Sequence, residues 1–106
     1  MTMCWVYMTA PSAEEARRIG RILVEERLAA CVNVIPGMTS LYWWQGKIEE
    51  GQETVLIGKT RQDLVDRLTT RVKALHSYTV PCVVALPILG GNPDFLRWIG
   101  EETAGA

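Results

Sequence analysis

The sequence predicts an α+β sandwich: two strand–helix–strand halves folding into one antiparallel sheet, with both main helices on the same face. Three observations predict it. Two amphipathic helical stripes recur roughly half a chain apart, a β-rich run flanks each stripe on both sides, and the central segment reads as a long hairpin. The 106 residues, 11.8 kDa, make a single domain over 1–106. A chain of this size buries about two thirds of its unfolded surface, enough for a core without staples.

Residues 3–9, Met-Cys-Trp-Val-Tyr-Met-Thr, read as a largely buried first strand. Ser12 with Glu15 three residues on is a helix-start signature, and Ala16, Ile19, Gly20 and Leu23 then recur at helical spacing. Glu14, Arg17, Arg18, Arg21 and Glu25 fall on the opposite side, so an amphipathic helix is expected to about Leu28. The second strand opens at Cys31 and runs to Ile35; Pro36-Gly37 interrupts it as a bulge or kink, and it resumes through Ser40 to Trp44. Gln45-Gly46-Lys47 is a tight turn, and Glu53 to Lys59 is the third strand, with residues 49–52 an irregular step. Thr60 with Asp63 repeats the capping pattern ahead of Leu64, Val65, Leu68, Val72 and Leu75, a second helix ending near His76. Residues 80–86 form a fourth strand whose flanking Pro81 and Pro87 argue for an edge position. Asn92-Pro93 caps a short C-terminal helix carrying Phe95, Leu96, Trp98 and Ile99. The order is that of the ferredoxin-like βαββαβ sandwich, extended by a long hairpin between strands two and three.

Composition narrows the function. An apolar fraction of 48% and a charged fraction of 22% exclude a disordered chain. A formal net charge of −1 leaves no cationic field to hold a phosphate backbone, so nucleic acid is not an expected partner. No apolar run approaches the ~20 residues that span a bilayer, and the N-terminus lacks a basic region followed by a cleavage site. Three widely spaced cysteines, Cys4, Cys31 and Cys82, argue for a reducing compartment over a disulfide framework. A cytoplasmic protein is the expectation. The hairpin puts Leu41, Tyr42, Trp43 and Trp44 on both faces near its tip, more than two helices can cover. Unless the C-terminal helix shields them, a second copy must, so the chain is expected to self-associate.

Ala29-Ala30-Cys31-Val32-Asn33-Val34-Ile35-Pro36-Gly37, then Ser40 through Glu49, Lys59-Thr60, His76-Ser77-Tyr78-Thr79-Val80-Pro81 and Gly91-Asn92 follow one another in a specific order. In these segments the chain resembles the CutA divalent-cation-tolerance family over nearly its whole length. The resemblance implies a homotrimer built through the long hairpins, a role in tolerance to copper and other divalent ions, and a pocket between subunits. The positions it carries over are Cys31, Tyr42, Trp44, Lys59, His76 and Tyr78. Two departures stand out. The family's usual His-Pro-Tyr is His76-Ser77-Tyr78 here, and Cys82 replaces the acidic residue that usually follows the proline.

Thiolate and imidazole donors suit copper or zinc better than magnesium or calcium, so Cys31, His76 and Cys82 are the candidate metal ligands. Cys31 and Cys82 each open a strand just after a helix, which would bring them near one another if the halves superpose. The alternative is a packed Cys31 and a hydrogen-bonded His76. No obligatory cofactor is expected, since the clustered four-ligand spacing of a structural zinc site is missing. Tyr42, Trp44, Lys59 and Tyr78 are the candidate pocket residues; Lys59 would otherwise pair with Glu49 or Glu53. A Cys31–His76 nucleophile pair lacks an orienting third group, and Arg17, Arg18 and Arg21 lie on a solvated face, so no catalysis is expected. The alternative function is a trimeric small-molecule sensor like the PII signal transducers, with incidental metal contacts.

Overall fold

A computed structural model describes residues 1–106 as β1 (Met3–Ala10), α1 (Ala13–Glu25), β2 (Cys31–Trp44), β3 (Lys47–Arg61), α2 (Val65–Leu75), β4 (Val83–Pro87) and α3 (Pro93–Glu102). The sheet order is β2-β3-β1-β4, and every neighbouring pair is antiparallel. This is the α+β ferredoxin-like sandwich. β2 and β4 are the two edges.

Side chains alternate across the sheet because successive Cβ atoms point to opposite faces. On β1, Cys4, Val6, Met8 and Ala10 are buried while Trp5 between them is 46% exposed. The buried set meets Ala16, Ile19 and Leu23 of α1 and Leu68 and Val72 of α2, which form one core cluster with Leu56. Gly20 permits the closest helix–sheet approach. A Cβ there would lie 2.9 Å from Val32 Cγ2 and 3.1 Å from Leu56 Cδ1. Ser12 caps α1 by accepting from the Glu15 amide at 3.1 Å, and Asn92 caps α3 by accepting from the Asp94 amide at 3.0 Å.

The hairpin is longer and more regular than its sequence suggests. Gln45 (φ 50°) and Gly46 (φ 79°) turn the chain between paired Trp44 and Lys47, the two-residue turn whose twist suits a hairpin. The bulge falls at Pro36-Gly37, where two residues oppose Thr54 alone. Residues 49–52 are not an irregular step: Glu49, Glu50, Gly51 and Gln52 each pair with a β2 residue without interruption.

Three other expectations change. α1 stops at Glu25, because Arg27 takes a left-handed φ of 62° and the Leu28 amide turns back to the Leu23 carbonyl. Thr60 caps nothing; it is fully buried at the end of β3, and its hydroxyl donates to the Leu28 carbonyl at 2.7 Å. A 3-10 turn at Gln62–Leu64 leads into α2 instead, with no side-chain cap. β4 begins at Val83, so residues 76–82 form a strap across the end of the sheet. α3 packs beside β1 and β3, and Arg27 holds it through the Glu102 carbonyl and carboxylate. It does not cover the hairpin aromatics: Trp43 is 72% exposed.

Candidate functional site

The densest polar network lies where the strap passes the ends of α1, β1 and β3. The His76 side chain is almost wholly enclosed, and both ring nitrogens are occupied. Nδ1 accepts the Tyr78 amide at 3.0 Å, and Nε2 lies 2.7 Å from the Thr9 carbonyl oxygen. Since a carbonyl can only accept, Nε2 carries the proton and the imidazole is neutral. Glu15 Oε2 sits 3.4 Å from Nδ1 and accepts from the Ser77 amide at 3.0 Å and hydroxyl at 2.9 Å. Burial raises the Glu15 pKa, but those bonds together with the charge of Arg18 outweigh it and hold the carboxyl below its usual range. Tyr78 packs against His76 with ring centroids 4.8 Å apart and the planes tilted by 44°, and its hydroxyl donates to Glu53 at 3.0 Å. Burial and that bond to a carboxylate push the Tyr78 phenol up to about 12.

The expected metal ligands do not converge within one chain. Cys31 is the first residue of the β2 edge, opposite Lys59 in the row of Trp5 and Leu86. Cys82 immediately precedes the β4 edge, and Val83 pairs with Met8. Three strand spacings of about 4.8 Å therefore separate the two edges, so the halves do not bring these thiols together. His76 has no free nitrogen for a metal. No group of three or more His, Cys, Asp or Glu side chains is placed to hold an ion. Burial raises the Cys31 thiol pKa against the pull of Lys59; burial and then Glu53 raise that of Cys82. Neither thiol is poised as a thiolate ligand at neutral pH.

The four pocket candidates are also spread out. Tyr42 is close enough to act on the Tyr78 phenol. Trp44 pairs with Lys47 at the hairpin tip, twelve residues along β3 from Lys59, about 40 Å at strand rise. Lys59 pairs with neither Glu49 nor Glu53. Its ammonium donates to Asn33 Oδ1 and lies 5.9 Å from the Trp5 ring. The residues that sequence reasoning missed are Glu15 and Glu53. Glu15 looks like a capping residue and Glu53 like a strand charge, and no motif joins them to His76 and Tyr78.

The sheet face away from the helices carries Trp5, Ile35, Val84 and Leu86, each about half exposed, around Thr9, Val55 and Ile57, which are buried on the same face. Cys31 and Lys59 sit on that face by strand alternation.

Comparison with known proteins identifies the lineage. A family model described as CutA1 divalent ion tolerance protein matches residues 4–102. The divalent-cation tolerance protein CutA of Thermus thermophilus is 56% identical over 98 residues, spanning 92% of this chain and 95% of that one. Protein CutA 1, chloroplastic, of Oryza sativa is 50% identical over 98 residues, which is 92% of this chain and 55% of the rice protein. Among solved structures, the CutA of Archaeoglobus fulgidus, described as periplasmic, superposes with a TM-score of 0.92 at 48% identity, covering 95% of this chain and 98% of that one. The helix-backed sheet, the long bulged hairpin and the strap at its end are thus set in a sequence that belongs to the CutA1 divalent ion tolerance family.

Proposed function

We propose that the protein serves divalent-cation tolerance as a homotrimeric binding module, taking copper or zinc without catalysing a reaction. The observation that carries this reading is the half-exposed apolar patch on the sheet face in a member of this family. Trp5, Ile35, Val84 and Leu86 form a patch of the kind that marks an association surface. The spread of Cys31, Cys82, Tyr42, Trp44 and Lys59 over opposite edges and ends supports sites completed between copies, not within one. A hairpin reaching from one subunit would meet the base of its neighbour's sheet. The matches do not favour a PII-like sensor. The unpaired cysteines fit a reducing, cytoplasmic setting.

Isothermal titration with Cu(II) and with Zn(II) tests the binding reading. Wild type is expected to bind, and Cys31→Ser to lose at least ten-fold in affinity. Because both thiols are held protonated, affinity should rise with pH as binding releases protons. Absence of heat with either metal, or unchanged affinity in Cys31→Ser, contradicts the thiol site.

A further inference from the structure

We propose that the C-terminal end of β3 holds a tetrahedral oxyanion, a phosphate or a phosphate ester, between Lys59 and Arg61, with the Asn33 amide as a third donor. Arg61 is the last residue of β3, and its side chain is only 19% exposed. Its guanidinium nevertheless makes no hydrogen bond. Nε is the one wholly buried side-chain nitrogen or oxygen in the chain without a partner. Asp63 Oδ1 lies 3.4 Å from it, outside hydrogen-bonding geometry, on a side chain that is 56% exposed. A largely enclosed guanidinium with no acceptor is costly and calls for a partner from outside the chain.

A second cation stands beside it. Lys59 lies two residues earlier on the same strand and therefore on the same sheet face, opposite Trp5 as Arg61 is opposite Met3. No carboxylate pairs with Lys59. Its ammonium gives one of its three donors to Asn33 Oδ1 and keeps the others free, with the Trp5 ring 5.9 Å away. Asn33 is exposed on the edge strand β2, which leaves a way in from solvent, and its amide N–H groups carry no bond. Against the two cations only Asp63 comes within ion-pair reach, so the corner keeps a positive charge. Three donor groups on two strands need more than the two oxygens of a carboxylate. A tetrahedral phosphate supplies enough acceptors, and its charge suits a guanidinium and an ammonium together. Half-exposed Trp5 offers its ring to an aromatic ester. All three groups belong to one chain, so the site depends on neither the trimer nor the metal reading.

Isothermal titration of inorganic phosphate, and separately of phenyl phosphate, into the metal-free protein in its native assembly tests the site near neutral pH. Binding is expected, and Lys59→Gln and Arg61→Gln should each weaken it about ten-fold, the loss of one charge-assisted bond. Asp63→Asn, a change at an exposed side chain, should instead tighten it about three-fold by removing the opposing charge. Should Arg61→Gln fail to fold, the opposite signs of Lys59→Gln and Asp63→Asn still decide. Tighter binding of phenyl phosphate assigns an ester packed on Trp5, and equal or weaker binding assigns the free anion; both uphold the site. No heat with either anion, an affinity unchanged in Lys59→Gln, or an affinity that falls in Asp63→Asn overturns the proposal.

Discussion

The two faces of the sheet are made from the same strands and obey different rules. On β1, Val6 and Met8 are closed off by helices, while Trp5 stands half exposed one residue away. The helix-facing set is small or slender enough to be sealed by α1 and α2, and Gly20 removes even a methyl group where packing is tightest. The opposite face leaves Trp5, Ile35, Val84 and Leu86 about half exposed. Burying a large apolar side chain stabilises by about 1.5–3 kcal/mol. The covered face has this gain within one chain; the open face can obtain it only from another. The first face therefore fixes the fold, and on the reading proposed above the second directs assembly.

That contrast can be broken most forcefully from the covered side. Leu68 is fully buried between α2 and the sheet, so Leu68→Ala should lower stability by about 2–5 kcal/mol in denaturant titration. A loss below about 1 kcal/mol would mean the helical layer is not the tight one. Gly20→Ala should follow, costing about 1–3 kcal/mol, because its methyl meets Val32 and Leu56 and the backbone must shift. A stabilised variant would show that the approach has slack.

Tyr78→Phe, at the seam between strap and hairpin, should cost about 1 kcal/mol through the lost bond to Glu53. It also has a signature in base. With the folded phenol raised from 10.0 to about 12, its contribution is complete below pH 10 and is lost as the unfolded chain ionises between pH 10 and 12. Wild type should lose stability over that window, and Tyr78→Phe should lose less. Identical alkaline profiles would remove the phenol from the account.

The same contrast explains what could be read from sequence. Where one face is buried, the pattern survives in the residues: β1, the stripe of α1, the Ser12 and Asn92 caps and the Pro36-Gly37 bulge are all legible. Where a ribbon has solvent on both sides, burial imposes no alternation, and residues 49–52 looked irregular although their ladder is unbroken. Thr60 looked like a cap because its spacing to Asp63 is right, but β3 continues past it and its hydroxyl reaches Leu28. The strap network was illegible because Glu15, Glu53 and His76 come from three distant stretches that only the strand order brings together. The same order parted Cys31 from Cys82.

Sedimentation equilibrium at micromolar concentration, on wild type and on Leu86→Lys, tests most directly that sister copies cover the open face. Three chains of 11.8 kDa should give a particle of about 35 kDa, and the lysine should dissociate it while leaving the circular dichroism of a folded chain. A lone 11.8 kDa wild-type particle, or a variant that assembles unchanged, would contradict it.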